Sequence, residues 1–340
     1  MSAIRVLVVD DSAFARKVVR ESLQTSPLIE VVGLARDGID ALEKIAQLEP
    51  DVITLDLVMP NLDGLGVLAS LTREQRSRVV VVSMADGDSD VGVAALGYGV
   101  FDLVHKPTAL AVASLHEIAE ELVSKVLLAA AQPPAAAREV EVEIPTATLV
   151  RSTERVVLIG TSTGGPQALT RILKAIPADF PAPIAIVLHI PPGFTAPFAE
   201  RLNAECAIEV LEAEEGLPLR PGRAVLARAG LHLRLQLTGD VLTAHLDALP
   251  IDSVHRPSVD VLFESAASCL GQRALGVVLT GMGNDGLQGA RAITRAGGQV
   301  LTETEASCVV YGMPRVVKEA GLSVAEAPLE QMVTAITSLI

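Results

Sequence analysis

Residues 4–11 read Ile-Arg-Val-Leu-Val-Val-Asp-Asp, a β-branched apolar run that stops on two carboxylates. Runs of the same kind recur at 30–35, 51–55, 78–83 and 100–104. Between them lie stretches such as 38–48, where Ile39, Leu42, Ile45, Ala46 and Leu48 fall mostly on one helical stripe. Five strands alternating with helices predict a doubly wound parallel sheet, which carries its functional residues on loops at the carboxyl ends of the strands. Asp10 and Asp11 follow the first strand, Asp56 ends the third, and Lys106-Pro107 ends the fifth. If the first and third strands are neighbours, the carboxylates meet. Such a set of hard oxygen ligands suits Mg²⁺, which offsets charge on a phosphoryl group transferred to Asp56, while Lys106 supplies a point positive charge. Pro107 points to a cis peptide fixing that loop. One Asp after a strand is commonly no more than a helix cap. All these residues together, in this order, favour a phosphoacceptor site.

Outward from this block, a helix near 109–129 leads into Ala129–Ala137, with Gln132-Pro133-Pro134, and then into charged residues up to Glu143 and Pro145. Low complexity with Pro reads as a linker of partial stiffness. A second α/β pattern starts near Arg155. It has a strand at Val156–Ile159, a helix from Gly164 to about Ala175 and a strand at Ile184–His189. The turn-rich stretch 205–248 points to a local antiparallel hairpin region. Helices at 259–269 and 286–296 alternate with strands at 274–280 and 298–302, and Leu329–Ile340 reads as a terminal amphipathic helix.

Composition narrows the function. The 340 residues suffice for two domains, each with its own core. Aromatics make up only 2 %, so the cores must be aliphatic. A formal charge of −14 argues against a nucleic-acid-binding output, which needs a basic face. Cys206, Cys269 and Cys308 lack metal-ligand spacing, and their odd number fits a reducing cytosol. The first residues run straight into a strand rather than a signal peptide, and no apolar run is long enough to span a bilayer. The expectation is a cytoplasmic protein with no membrane insertion.

The second half carries Gly160-Thr161-Ser162-Thr163-Gly164-Gly165 between a strand and a helix. The glycines permit a tight turn that sets Ser162 beside the backbone N–H groups of a helix N-terminus. A serine hydroxyl needs a base, and the base needs an orienting carboxylate. His189 ends one strand and Asp285 follows another, where a parallel sheet would gather them. The alternatives stay open on spacing alone. Such glycine-rich turns more often bind phosphate, and the α/β-hydrolase elbow that Gly160-x-Ser162-x-Gly164 matches runs Ser, acid, His, whereas His189 here precedes Asp285.

Residues 1–107, with Leu-Asp-Leu-Val-Met-Pro-Asn-Leu-Asp-Gly at 55–64, resemble a response-regulator receiver domain. Residues 155–321 resemble the catalytic domain of chemotaxis protein-glutamate methylesterases, the CheB family. The carrying segments are Ile-Gly-Thr-Ser-Thr-Gly-Gly at 159–165, His-Ile-Pro-Pro-Gly-Phe-Thr at 189–195 and His-Arg-Pro-Ser-Val-Asp-Val-Leu-Phe at 255–263. Two more are Leu-Thr-Gly-Met-Gly-Asn-Asp-Gly at 279–286 and Val-Val-Tyr-Gly-Met-Pro-Arg at 309–315. The resemblance implies a flavodoxin-like five-stranded receiver over 1–124, a linker over 125–152 and an α/β methylesterase domain with a mostly parallel sheet over 153–340. It implies Ser162 as nucleophile, His189 as general base and acid, and Asp285 as its orienter. Oxyanion support falls to Thr163 and the backbone near Met282. In the receiver it implies Asp56 as the phosphorylated residue, Asp10, Asp11 and Asp56 around Mg²⁺, and Lys106 and Ser83 as the phosphate-sensing pair, Ser83 being the one candidate in Val-Val-Val-Val-Ser-Met-Ala at 79–85.

The implied activity is hydrolysis of glutamate methyl esters on methyl-accepting chemoreceptors, with deamidation of receptor glutamines. A sensor histidine kinase serves as phosphodonor, the receiver covers the site until Asp56 is phosphorylated, and the ester step needs no cofactor. Two departures from the family pattern stand out. Ala227-Arg228-Ala229-Gly230 replaces Ala-Pro-Gly-Gly, and Thr302-Glu303-Thr304-Glu305 stands where Gln-Asp-Glu is usual. Two rivals remain: an esterase for a different ester or amide, and a non-catalytic regulator whose second domain is a docking scaffold.

Overall fold

A computed structural model describes residues 3–76, 78–83, 89–106, 114–131, 155–251 and 253–340. The chain divides into two compact units, Met1–Ala136 and Ala137–Ile340.

The first unit runs β1 (Ile4–Val9), α1 (Ala13–Leu23), β2 (Ile29–Ala35), α2 (Gly38–Leu48), β3 (Val52–Leu55) and α3 (Gly64–Ser70). It continues with α4 (Arg73–Arg76), β4 (Val79–Ser83), α5 (Ser89–Gly97), β5 (Asp102–His105) and α6 (Ser114–Ala130). The strands form one parallel sheet in the order β2-β1-β3-β4-β5, so the first and third strands are indeed neighbours. Val6–Val9, Val52–Leu55 and Val79–Val82 are buried throughout, as a sheet covered by helices on both faces requires. Side-chain caps start the helices where the chain leaves the sheet. Ser12 accepts the Ala15 N–H at 3.4 Å, Asp37 that of Asp40 at 2.9 Å and Asp63 that of Gly66 at 2.7 Å.

Two expectations need adjustment here. The fifth strand begins at Asp102 rather than 100, because Val100 and Phe101 are buried in the turn that precedes it. Helix α6 continues to Ala130, past residue 125 where the linker is expected to begin. Val126 and Ala129 are buried there, and the Lys125 ammonium donates to Leu103 O at 2.6 Å and pairs with Asp102 at 3.2 Å. The Pro-rich stretch itself and Pro107 lie outside the described residues.

The second unit runs β6 (Val156–Thr161), α7 (Gly165–Ala175), β7 (Ile184–Leu188), α8 (Thr195–Glu205), β8 (Glu209–Glu212), β9 (Arg223–Leu226), β10 (His232–Thr238) and β11 (Val241–Asp247). There follow α9 (Val259–Leu270), β12 (Ala274–Val278), α10 (Leu287–Arg295), β13 (Gln299–Glu303), α11 (Met313–Glu319), β14 (Ala325–Ala327) and α12 (Met332–Thr337). Seven strands pair in parallel in the order β14-β13-β12-β6-β7-β9-β8. The expected hairpin region shrinks to β10 and β11. β8 and β9 instead extend the parallel sheet, because Val210 and Ala224–Leu226 are apolar and buried, and the turns at 213–222 serve as their crossover. Helix α9 buries Val259, Leu262, Phe263 and Ala266 in the core of the unit. Central β6 has β7 on one side and β12 on the other, so strand order reverses there, and ligand sites in open α/β sheets lie at the carboxyl edge of such a reversal.

Candidate active site and phosphoacceptor site

At the carboxyl edge of the first sheet, one oxygen each from Asp10, Asp11 and Asp56 lies within 4.8 Å of the others. Asp10 and Asp56 are buried and Asp11 is exposed. The Lys106 ammonium, at the end of β5, stands 2.9 Å from Asp10 and donates to Asp56 at 2.7 Å. Burial lifts the Asp56 pKa above its ordinary value, and the nearby Asp10 charge adds to this. The Lys106 hydrogen bond and charge oppose the rise without cancelling it. Burial alone would depress Lys106, but its two aspartate partners raise it, so it stays an ammonium. Three carboxylates around one point form an all-oxygen donor set of the kind Mg²⁺ takes. Ser83 is buried at the end of β4, and its carbonyl accepts the Lys106 N–H at 2.7 Å, which fixes these two residues at one strand edge.

In the second unit, β6 ends at Thr161 and α7 begins at Gly165, so the intervening turn carries Ser162. Gly164 makes the turn possible at φ +80°, a left-handed conformation that a side chain would strain. Ser162 is half-buried. Its N–H donates to Thr280 O at 3.1 Å, just beyond β12. A Cβ on the next residue, Gly281, would meet the Ser162 Cβ at 2.8 Å, so the 281–283 segment carrying Met282 lies directly against the serine. Thr280 is the hinge pin of this contact. Its carbonyl also accepts the Thr161 hydroxyl at 2.7 Å, and its own hydroxyl donates to Thr163 O at 2.9 Å and accepts the Val310 N–H at 2.9 Å. Its N–H donates to the buried Glu303 carboxyl at 2.8 Å.

Register brings His189 to Ser162. Thr161 pairs with Leu188 across β6 and β7, and the His189 N–H donates to Thr161 O at 3.1 Å, so the two residues leave adjacent strands at the same level. The His189 ring is fixed through Nε2, which lies 2.9 Å from Asp285 Oδ2. Its other nitrogen, Nδ1, is buried and has no hydrogen-bond partner among the described residues. Asp285 is buried at the N-terminus of α9. One oxygen accepts the Ser258 hydroxyl (2.8 Å) and the N–H groups of Asp260 (2.9 Å) and Gly286 (3.0 Å). The other accepts the Val259 N–H (2.7 Å) besides His189. Burial by itself would raise the Asp285 pKa. The His189 hydrogen bond and charge, followed by the α9 N–H groups, outweigh it and hold the carboxyl well below the usual range. An aspartate so saturated orients a base and does not take its proton.

The structure therefore gathers Ser162, Thr163, His189, Met282 and Asp285 at one edge of one sheet, and Asp10, Asp11, Asp56, Ser83 and Lys106 at one edge of the other. It also adds residues that spacing did not single out. His255, singled out in the sequence only because it opens a motif, stacks on the His189 ring with centroids 4.1 Å apart. Ser258 and Thr280 have no role in the sequence reading, since a Ser and a Thr near strand or helix ends look like ordinary caps, and Glu303 enters it only as part of a departure from the family pattern. Arg228, one of the departures from the family pattern, pairs with Glu212 at 3.1 Å.

The CheB methylesterase profile matches residues 157–336, and the response regulator receiver domain profile matches residues 6–119. The chain is 60 % identical over 338 residues to protein-glutamate methylesterase/protein-glutamine glutaminase 5 of Myxococcus xanthus, covering 98 % of this chain and 97 % of that protein. It is 42 % identical over 347 residues to the protein-glutamate methylesterase/protein-glutamine glutaminase of Geobacillus kaustophilus, covering 100 % and 99 %. Among solved structures, the CheB methylesterase catalytic domain of Thermotoga maritima aligns with a TM-score of 0.54 at 37 % identity, covering 55 % of this chain and 99 % of that one. The chain belongs to the CheB methylesterase family and carries a receiver domain.

Proposed function

We propose that this chain is a phosphorylation-switched hydrolase that removes methyl esters from chemoreceptor glutamate side chains and deamidates receptor glutamines. Ser162, His189 and Asp285 act as its triad. The observation that carries the reading is the commitment of His189 Nε2 to Asp285, which leaves buried Nδ1 as the nitrogen free to take a proton at the strand end beside Ser162. Asp285 thus reads Nε2–H here, the reverse of the chymotrypsin arrangement, in which the aspartate holds Nδ1–H.

The Ser162 hydroxyl attacks the ester carbonyl carbon while His189 Nδ1 accepts its proton. The oxyanion forms against the backbone near Met282 and Thr163, which the Thr280 contacts hold in place. Collapse expels the methoxy group, which takes the proton from Nδ1 and leaves as methanol. Water then adds to the acyl-serine with His189 again as base, releasing the glutamate carboxylate and restoring Ser162. A glutamine amide follows the same route with ammonia as the leaving group. Asp285 stays ionised throughout and stabilises the imidazolium.

In the receiver, Asp56 accepts the phosphoryl group from a sensor histidine kinase or a small phosphodonor. Asp10, Asp11 and Asp56 would hold Mg²⁺, which when bound neutralises charge on the phosphoryl group. Lys106, already bound to Asp10 and Asp56, steers the incoming anion, and Ser83 senses it at the neighbouring strand end. The receiver and the hydrolase correspond to the five- and seven-stranded units, joined by the Pro-rich stretch after α6. Among the described residues no helix is long and apolar enough to cross a membrane.

The test is methanol release from methylated chemoreceptor membranes, with and without acetyl phosphate and Mg²⁺. Release should fall at least about 10³-fold in Ser162→Ala. Release that persists in Ser162→Ala refutes the triad. No release from a receptor shown to be methylated turns the reading towards another ester.

A further inference from the structure

The Asp285 carboxylate has a second tether that leads away from the reacting atoms. Ser258 is the N-cap of α9, and its hydroxyl has one proton to give. That proton goes to Asp285 Oδ1 at 2.8 Å, while the Ser258 hydroxyl oxygen accepts the Val261 N–H at 3.4 Å. Ser258 is itself held. Its backbone N–H donates to Nδ1 of His232 at 3.2 Å, and the other nitrogen of His232 lies 3.3 Å from Pro250 O. Nδ1 accepts, so Nε2 carries the proton and donates to that carbonyl. His232 is fully buried at the first residue of β10, and burial lowers its pKa, which keeps this neutral tautomer in place. A chain of contacts thus runs from Pro250 through His232, Ser258 and Asp285 to His189, linking the β10–β11 ribbon to the candidate base.

We infer that Ser258, locked by His232, is a positioning residue of the esterase site, fixing the direction and charge distribution of Asp285 and through it the orientation of the His189 ring. This rests on the triad reading above. The competing explanation is that Ser258 merely caps α9, and glycine separates the two. Glycine supports an N-cap nearly as well as serine does but has no hydroxyl to offer Asp285.

The readout is the rate at which a fluorophosphonate probe labels Ser162 in the full chain, measured against pH, because this labelling needs the triad but no receptor. Without the Ser258 hydrogen bond, the Asp285 charge is less shared and binds the protonated His189 ring more tightly. Ser258→Gly should therefore label about tenfold more slowly at pH 7, with the acid limb of the profile moved to higher pH. Ser258→Thr, which keeps the hydroxyl, should restore both rate and limb to within about twofold. Labelling of Ser258→Gly at the unsubstituted rate with an unmoved limb overturns the inference, as does a Ser258→Thr variant as slow as Ser258→Gly. If the unsubstituted protein is not labelled, or Ser162→Ala is labelled equally, the triad itself fails and the positioning role falls with it. Labelling that follows the expected pattern in a protein that releases no methanol upholds the inference and breaks only the substrate assignment.

Discussion

Asp56 and Asp285 are both buried aspartates at the carboxyl edge of a parallel sheet, yet their proton affinities move in opposite directions. Asp56 receives one backbone N–H, from Leu57 at 2.8 Å, and one ammonium, and it faces the charge of Asp10. Asp285 receives three backbone N–H groups, a hydroxyl and an imidazole N–H at the head of a helix. Burial disfavours charge in both cases, and the number of donors decides the outcome. The difference suits two tasks. A phosphoacceptor must keep lone pairs open for an incoming phosphorus and a cation, whereas an orienting carboxylate works best when every lone pair is taken.

The sharpest way to break this contrast is Asp285→Asn. The amide cannot balance an imidazolium and favours the wrong His189 tautomer, so methanol release should drop by about 10³–10⁴-fold with the fold retained by circular dichroism. A loss of less than about tenfold would mean that Asp285 is only a helix cap. Asp56→Asn should behave differently. Stimulation by acetyl phosphate and Mg²⁺ disappears, as it should in the unsubstituted protein when the cation is chelated, while unstimulated release persists. Stimulation surviving in Asp56→Asn would place phosphoryl transfer elsewhere.

A third buried carboxyl sharpens the comparison. Glu303 is fully buried and takes the Thr280 N–H and the Ser307 hydroxyl, with no salt-bridge partner among the described residues. Burial pushes its pKa up to about 7, despite those bonds. Its linkage to folding therefore runs opposite to that of Asp285. The stability that Asp285 contributes is present above its ordinary pKa and lost as pH falls through the depressed folded value. Glu303 prefers its proton in the folded state, so stability falls as pH rises from about 4.5 to about 7, by roughly 3 kcal/mol. Glu303→Gln should remove this slope, and the advantage of the variant in urea unfolding should widen steadily across that window. A constant difference between the two proteins over the same range would show that Glu303 stays ionised.

Much of this was legible in the chain. The alternation of β-branched runs with amphipathic stretches gave both sheets, because a parallel strand must be apolar on both faces and the helix that covers it on one. Chemistry-bearing residues could be placed at strand ends for the same reason. The hairpin expected over 205–248 was too wide because β8 is short and borders solvent, so its glutamates, Glu209 and Glu212, masked a parallel edge strand. Helix α6 ran on past the expected linker because Lys125 looks like a surface residue until Asp102 and Glu121 are seen around it.

Sequence alone thus determined the two-sheet architecture, the family and which residues stand at the strand ends, since these follow from local periodicity and from motifs read in order. Tertiary structure decided how those residues are charged and aimed. That Asp285 takes Nε2 of His189 rather than Nδ1, that His232 locks Ser258, and that Glu303 anchors Thr280 all depend on contacts between residues 23 to 96 positions apart. Proton affinity and ring orientation are set by the donors that converge on a group in space, and strand register and helix placement alone bring those donors together.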